Sequence, residues 1–174
     1  MTILIYRYGN ICEPDIICTF QEFGTQVEEI CEEITEKKMT AARRVELVHN
    51  AIEKCRPAMV FSINFFPAIA EVCHIHGLLY CCWTVDAPVP ELYSQAITYD
   101  TNRIFLFDRV EAAHLEAPED SEKIRQGILL QKISASQAMS PAEGLWNLPV
   151  PSSIFSLLLQ GHRFFPLQRR SQER

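Results

Sequence analysis

The sequence predicts an α/β fold: a three-layer domain with a parallel sheet between layers of helix. Two observations carry that expectation. Three short apolar runs, Val60–Ile63, Leu78–Val85 and Ile104–Phe107, each end in a polar residue: Asn64, Asp86 and Asp108. Between the first two runs lies Pro67–His76, with apolar residues at Ala68, Ile69, Val72, Cys73 and Ile75. That spacing fits a helix buried over much of its surface. Strand, helix, strand is a crossover unit, which makes the strands parallel and covers both faces of the sheet. In open parallel sheets ligands sit beyond the carboxyl ends of the strands, so the polar residues at those ends are the first functional candidates.

The elements follow in order. Thr2–Arg7 opens with TILIY, a short β-rich run that suits a buried first strand. Tyr8-Gly9-Asn10 makes a turn. Pro14 and Asp15 suit the first turn of a helix, since Pro loses no needed bond there and a carboxylate favours the positive end. Ile16, Ile17, Phe20 and Phe23 form its apolar face, and Gly24 stops it. Val27, Ile30, Cys31 and Ile34 have helical spacing, yet a strand is due after this helix. Gln26–Cys31 is therefore assigned as a strand. Thr40 is a good N-cap for the next helix. Val45, Val48, Ala51, Ile52 and Cys55 form its buried stripe, and Pro57 follows its end. Arg109–Leu115 begins a further helix after Asp108.

The chain has 174 residues, enough for one domain with an appendage and for a sizeable core. Its net charge of −6 argues against a nucleic-acid binder and against an anionic membrane surface as main partner. The charge is uneven. Residues 1–116 hold 9 Lys and Arg against 17 Asp and Glu, a net −8. Residues 117–174 hold 7 against 5, a net +2. Such a shift marks a candidate boundary. Beyond it the apolar periodicity is weak and prolines interrupt it, so 117–174 is expected to be a divergent, weakly ordered tail. Seven cysteines without a CxxC, mostly in apolar runs, favour a reducing, cytoplasmic setting. No signal peptide is evident at the start, and no apolar run is long enough to span a bilayer.

Four segments, ILIYRYGNICEPDI, VFSINFFPAIAEVC, CWTVDAPVPELYS and NRIFLFDR, resemble the N-terminal domain of bacterial CgeB-like (spore-maturation) glycosyltransferases. This domain is itself often described as one of unknown function. The resemblance covers roughly residues 2–115, and several ordered blocks are more specific than one short motif. It implies a Rossmann-like domain with strand order 3-2-1-4-5, in a GT-B arrangement of two such domains facing across a cleft. The N-terminal domain then holds a sugar or glycan acceptor, and a C-terminal domain binds the nucleotide-sugar. After Glu116 the likeness ends and nothing resembling the donor-binding domain follows. A truncated or frame-shifted reading frame would account for that break and for the charge shift. The expectation is thus an acceptor-side domain, inactive in transfer alone. The alternative is a non-catalytic Rossmann-like binding or interaction module.

Asp86 is the foremost candidate, able to orient a sugar hydroxyl or act as a base, and equally able to cap the turn through Ala87-Pro88. Asn64, with Ser62, offers hydrogen bonds to a ligand, but Asn ahead of a Pro-started helix is first of all an N-cap. Tyr8 and Asn10 lie near the same edge, while Gly9 serves the turn. Trp83 could stack on a sugar ring, though an alternating buried run favours a core role. Asp108 is either an edge carboxylate or a helix cap. Tyr93 lines a pocket or merely packs.

Metal binding and cofactors are not expected. Cys73, His74 and His76 do not share one helix face, and no partner cluster has zinc spacing. Cys81 and Cys82 alternate in a strand and point opposite ways. Glu28, Glu29, Glu32, Glu33 and Glu36 read as a solvated face. There is no GxGxxG, no Walker A motif and no Asp-x-Asp, so dinucleotide, P-loop and metal-dependent GT-A chemistry lack support. A phosphorylation receiver would need acidic residues where this chain has Arg7-Tyr8 and Asn64.

Overall fold

A computed structural model describes residues 1–106, 108, 110 and 115. In chain order it contains β1 (Thr2–Tyr6), α1 (Glu13–Glu22), β2 (Gln26–Ile30), a one-turn α2 (Glu32–Thr35), α3 (Ala41–Cys55), β3 (Met59–Ile63), α4 (Pro67–His76), β4 (Leu79–Thr84) and β5 (Asn102–Leu106). Two short 3₁₀ turns, Pro90–Tyr93 and Gln95–Thr98, lie between β4 and β5. All five strands pair parallel, in the order β2-β1-β3-β4-β5. The domain is therefore α/β and Rossmann-like. Val110 and Leu115 are helical, and Leu115 is buried. The remainder of that expected helix, the boundary after residue 116 and the tail 117–174 lie outside the described residues.

The order differs from the expected 3-2-1-4-5. β3 lies beside β1, which puts β2 at the edge. The reason is in the strand sequences. β2 reads QVEEI and buries only Ile30 fully. β3 reads MVFSI and is buried at all five positions. An interior strand of a covered parallel sheet must bury both faces, which Glu28 and Glu29 cannot do. Arg7 draws its guanidinium onto Glu29 at 2.5 Å, closing that edge with a charge pair.

The two faces are packed by different helices. On one, Leu4, Tyr6, Val60, Tyr80, Cys82, Ile104 and Leu106 share a core with Val48 and Ile52 of α3 and Ile69, Val72 and Cys73 of α4. On the other, Phe20 of α1 meets Phe61 edge-on, with ring centroids 5.5 Å apart. Helix ends follow their sequence signals. Thr40 caps α3 by accepting from the Arg43 N–H at 3.2 Å. Gly24 and Gly77, at φ +72° and +61°, occupy the left-handed positions that end α1 and α4. Ile75, read as part of the buried stripe of α4, is 74% exposed. Among the described residues no helix is long and apolar enough to cross a membrane.

The acidic run is not wholly a solvated face. Glu32 and Glu36 are exposed, but Glu33 turns inward to Arg44 at 2.7 Å and accepts from the Tyr6 hydroxyl. Arg44 Nε also donates to that hydroxyl at 3.0 Å, and its guanidinium lies 5.0 Å from the Phe66 ring centroid. This knot fastens α2 and α3 to β1. Glu33→Ala leaves the largely buried Arg44 guanidinium without its carboxylate, and leaves the phenol only the weak Met39 sulfur as acceptor. It should cost about 2 kcal/mol, read from the urea midpoint. A change under about 0.5 kcal/mol would place the pair with ordinary surface ion pairs.

Candidate functional site

Parallel strands bring Tyr8, Asn64, Asp86 and Asp108 to the same edge, each just after the carboxyl end of its strand. Three of them join with Asn10 in one hydrogen-bonded cluster. Asn64 is its centre. Its backbone is left-handed, at φ +57°, a conformation that Asn tolerates better than most residues. Two bonds hold it there. Its N–H donates to Trp83 O at 2.8 Å, and its carbonyl accepts from Ser62 Oγ at 2.7 Å. Because the single Ser62 proton is used on that carbonyl, the buried Tyr80 hydroxyl must donate to Ser62, at 2.7 Å. Tyr80 Oη in turn accepts from the Phe66 N–H at 3.0 Å.

The Asn64 side chain then spans the edge. Its Nδ2 donates to Tyr8 Oη at 2.9 Å and to Asp86 Oδ2 at 2.5 Å. Its Oδ1 accepts from the Val85 N–H at 3.0 Å. The expectation that Asn64 caps α4 is thereby corrected. Phe66 holds the N-cap position of α4, without a side-chain cap. Asn64 lies too early and is committed to β4 and to the β1 loop instead.

Asn10 Nδ2 is the second donor to Tyr8 Oη, also at 2.9 Å, while Asn10 Oδ1 accepts from the Cys12 N–H. With both acceptor positions of the phenol taken, its O–H is what Tyr8 can offer a ligand. Burial pushes the Tyr8 phenol up from its ordinary range, and the Asp86 and Glu13 carboxylates push the same way against the two amide donors. Tyr8 is therefore a neutral donor at physiological pH. Asp86 is exposed and brings a carboxylate acceptor beside it. A neutral phenol donor next to a carboxylate acceptor suits a hydroxyl-bearing molecule.

Other candidates stand apart. Asp108 follows β5 at the same edge, where its Oδ1 accepts from the Val110 N–H at 2.7 Å, which is the capping role. Trp83 contributes its backbone carbonyl; its indole N–H is buried without a hydrogen-bond partner among the described residues. Tyr93 is 60% exposed, and no contact joins it to the cluster among the described residues. Cys73, His74 and His76 diverge: Cys73 is buried, His74 stacks on Tyr99, and His76 meets His49 at 2.9 Å. Among the described residues no group of three or more His, Cys, Asp and Glu is placed to hold a metal ion.

The residue that sequence reading missed is Glu13. It is 1% exposed in the first turn of α1. Its carboxylate accepts from the Tyr8 N–H at 2.9 Å, the Gly9 N–H at 3.1 Å and Arg7 Nε at 3.2 Å. It thus fixes the loop that carries Tyr8. Gly9 is favoured there by its φ of +92°, which L side chains rarely adopt; a Cβ would crowd only the flexible end of Lys37, at 3.0 Å. An acidic residue in a first helical turn was the only sequence signal, and many helices share it.

Comparison with protein-family models gives no match. Comparison with curated proteins gives none either.

Proposed function

We propose that this domain holds the hydroxyl-bearing acceptor of a sugar transfer, as the acceptor-side half of a CgeB-like, GT-B-type glycosyltransferase. The observation that carries the reading is the Asn64 bridge, which sets the Asp86 carboxylate and the Tyr8 hydroxyl side by side beyond the strand ends. The resemblance over residues 2–115 supports it from the sequence side. On this reading Asp86 accepts a hydrogen bond from an acceptor hydroxyl and is placed to take its proton. Tyr8 donates to a neighbouring oxygen, and Asn10 and Asn64 keep the phenol oriented. Nucleotide-sugar binding falls to a second domain, so the 174-residue chain binds acceptor without transferring sugar.

The test pairs affinity with stability. A panel of mono- and oligosaccharides is titrated against the wild-type chain and Asp86→Asn, with binding read by NMR. A saccharide that binds should lose about tenfold or more in affinity, because the amide loses the charge-assisted bonds. The urea midpoint should move by no more than about 0.5 kcal/mol equivalent, since the side chain is exposed. Unchanged affinity with a clear loss of stability would assign Asp86 to the turn through Ala87-Pro88 instead.

A further inference from the structure

The loop after β1 is built like an anion seat. The Tyr8 and Gly9 N–H groups are consecutive and converge on one point, with Gly9 in a positive-φ conformation. Successive amides arranged in this way form an anion-binding concavity. Arg7 Nε aims at the same point, and the N-terminus of the ten-residue α1 adds partial positive charge. In open α/β sheets the turn after the first strand, at the start of the first helix, is where a ligand's phosphate is commonly held.

Here the seat is already taken. The Glu13 carboxylate accepts all three donors and is buried in doing so. Its bonds run back to the loop rather than to the free amides of its own helix, so it is not acting as an ordinary cap. We infer that Glu13 is a specificity-determining residue that fills the anion seat from within, so that the crevice takes uncharged or cationic hydroxyl ligands and turns away phosphates and nucleotides. The inference rests on the proposed acceptor site for where the ligand lies.

The surrounding charge acts in the same direction. Burial pushes the Cys12 thiol up from its ordinary value, and the Asp15, Asp86 and Glu13 carboxylates push the same way, against a further negative charge. The nearby cations already have partners in the loop or beside it. Lys37 Nζ donates to the Tyr8 carbonyl at 2.7 Å, and Arg7 is shared between Glu13 and Glu29. Lys37 is exposed and held through one bond to a carbonyl, so Arg7 is the cation that Glu13 withholds from a phosphate. Removing the Glu13 carboxylate would release two amides and Arg7 Nε together.

The experiment uses the full chain as wild type, Glu13→Ala and Glu13→Gln. Tm is measured against sodium formate and inorganic phosphate, with chloride at matched ionic strength as control. Amide resonances of Tyr8 and Gly9 are followed in the same titrations. In wild type those two amides should stay unmoved in every salt, and Tm should follow only the general stabilisation that a kosmotropic anion such as phosphate gives any folded chain. Glu13→Ala should gain a formate- or phosphate-specific rise in Tm and shifts at both amides, with apparent affinity at least about tenfold above wild type, the worth of one charge-assisted bond. Glu13→Gln keeps one acceptor oxygen for the two amides but turns an NH2 towards Arg7 Nε, so it should lose stability while still filling the seat and showing no anion-specific response. If Glu13→Ala is unfolded in chloride, formate or phosphate should restore its circular dichroism. Phosphate binding by wild type at these amides would overturn the inference, as would a Glu13→Ala chain with no anion-specific response or recovery. No saccharide enters this measurement, so failure of the acceptor reading leaves its outcome interpretable.

Discussion

Raising the pH from about 8 to about 10 should remove several kcal/mol of stability from the domain. The groups responsible are three thiols, Cys73, Cys81 and Cys82, each 0% exposed. Burial pushes all three up from their ordinary value of 9, Cys81 to about 12. Cys73 and Cys82 are pushed further by the neighbouring Cys81. Burial also raises Tyr80, and raises Tyr6, where the hydrogen bond to Glu33 adds to it. The sign is fixed by proton counting. Above pH 9 the unfolded chain releases its thiol protons while the folded chain keeps them. The folded state then binds more protons, and stability falls as pH rises. The contribution is complete below 9 and is lost towards the folded value, about 12 for Cys81. Each such thiol is worth up to about 1.4 kcal/mol per pH unit in that window, so three remove roughly 3–4 kcal/mol over the first unit. That is a large share of the roughly 5–15 kcal/mol by which domains are stable. Urea midpoints in reducing buffer should fall steeply above pH 9, and Cys81→Ala should flatten the slope by about one third, one titrating thiol of three. A midpoint flat across this range would mean that the thiols titrate normally in the folded state.

The fold was legible wherever a local rule decides it. Pro at the start and Gly after the end bounded α4 at Pro67 and His76, and Thr40 capped α3, because these are bonds between near neighbours. The parallel sheet followed from apolar runs alternating with helices. The strand order did not: the resemblance implies 3-2-1-4-5, and the composition of β2 overrides it. Two glutamates in that strand are an edge signal that could have been used. The edge residues Tyr8, Asn10, Asn64 and Asp86 could be named because each follows a strand. Their joining could not, because it depends on a left-handed Asn64 and on Tyr80, whose hydroxyl reads in sequence as one more buried aromatic. Glu13 and the Tyr6–Glu33–Arg44 knot were hidden for a related reason. Burial of a carboxylate comes from where distant donors converge, and periodicity carries no record of that.

Asn64 should be the least replaceable residue of the site, and three substitutions separate why. Asn64→Ala loses the side-chain bonds to Tyr8, Asp86 and the Val85 N–H, and also places an ordinary residue at φ +57°. At about 1 kcal/mol for each lost bond that mattered and about 1 kcal/mol for the backbone, the cost should reach about 3 kcal/mol. Asn64→Gly suffers the same side-chain losses without the backbone penalty, so it should be the milder of the two. Asn64→Asp keeps the shape but removes the donors, and sets a second carboxylate against Asp86, where the amide now sits at 2.5 Å. Its defect should therefore shrink as the pH is lowered towards the carboxylate range, whereas those of Asn64→Ala and Asn64→Gly should not. Urea midpoints at about pH 7 and about pH 5 distinguish the three patterns. Equal losses for Ala and Gly would remove the backbone from the account, and a pH-independent Asp variant would remove the charge contact. The functional consequence has its own order. All three variants free the Asp86 carboxylate and the Tyr8 phenol from their shared anchor, so saccharide affinity should fall even in Asn64→Gly, where stability falls least. Affinity retained in Asn64→Gly would mean that the two ligand-facing groups are held in place by their own loops rather than by the bridge between them.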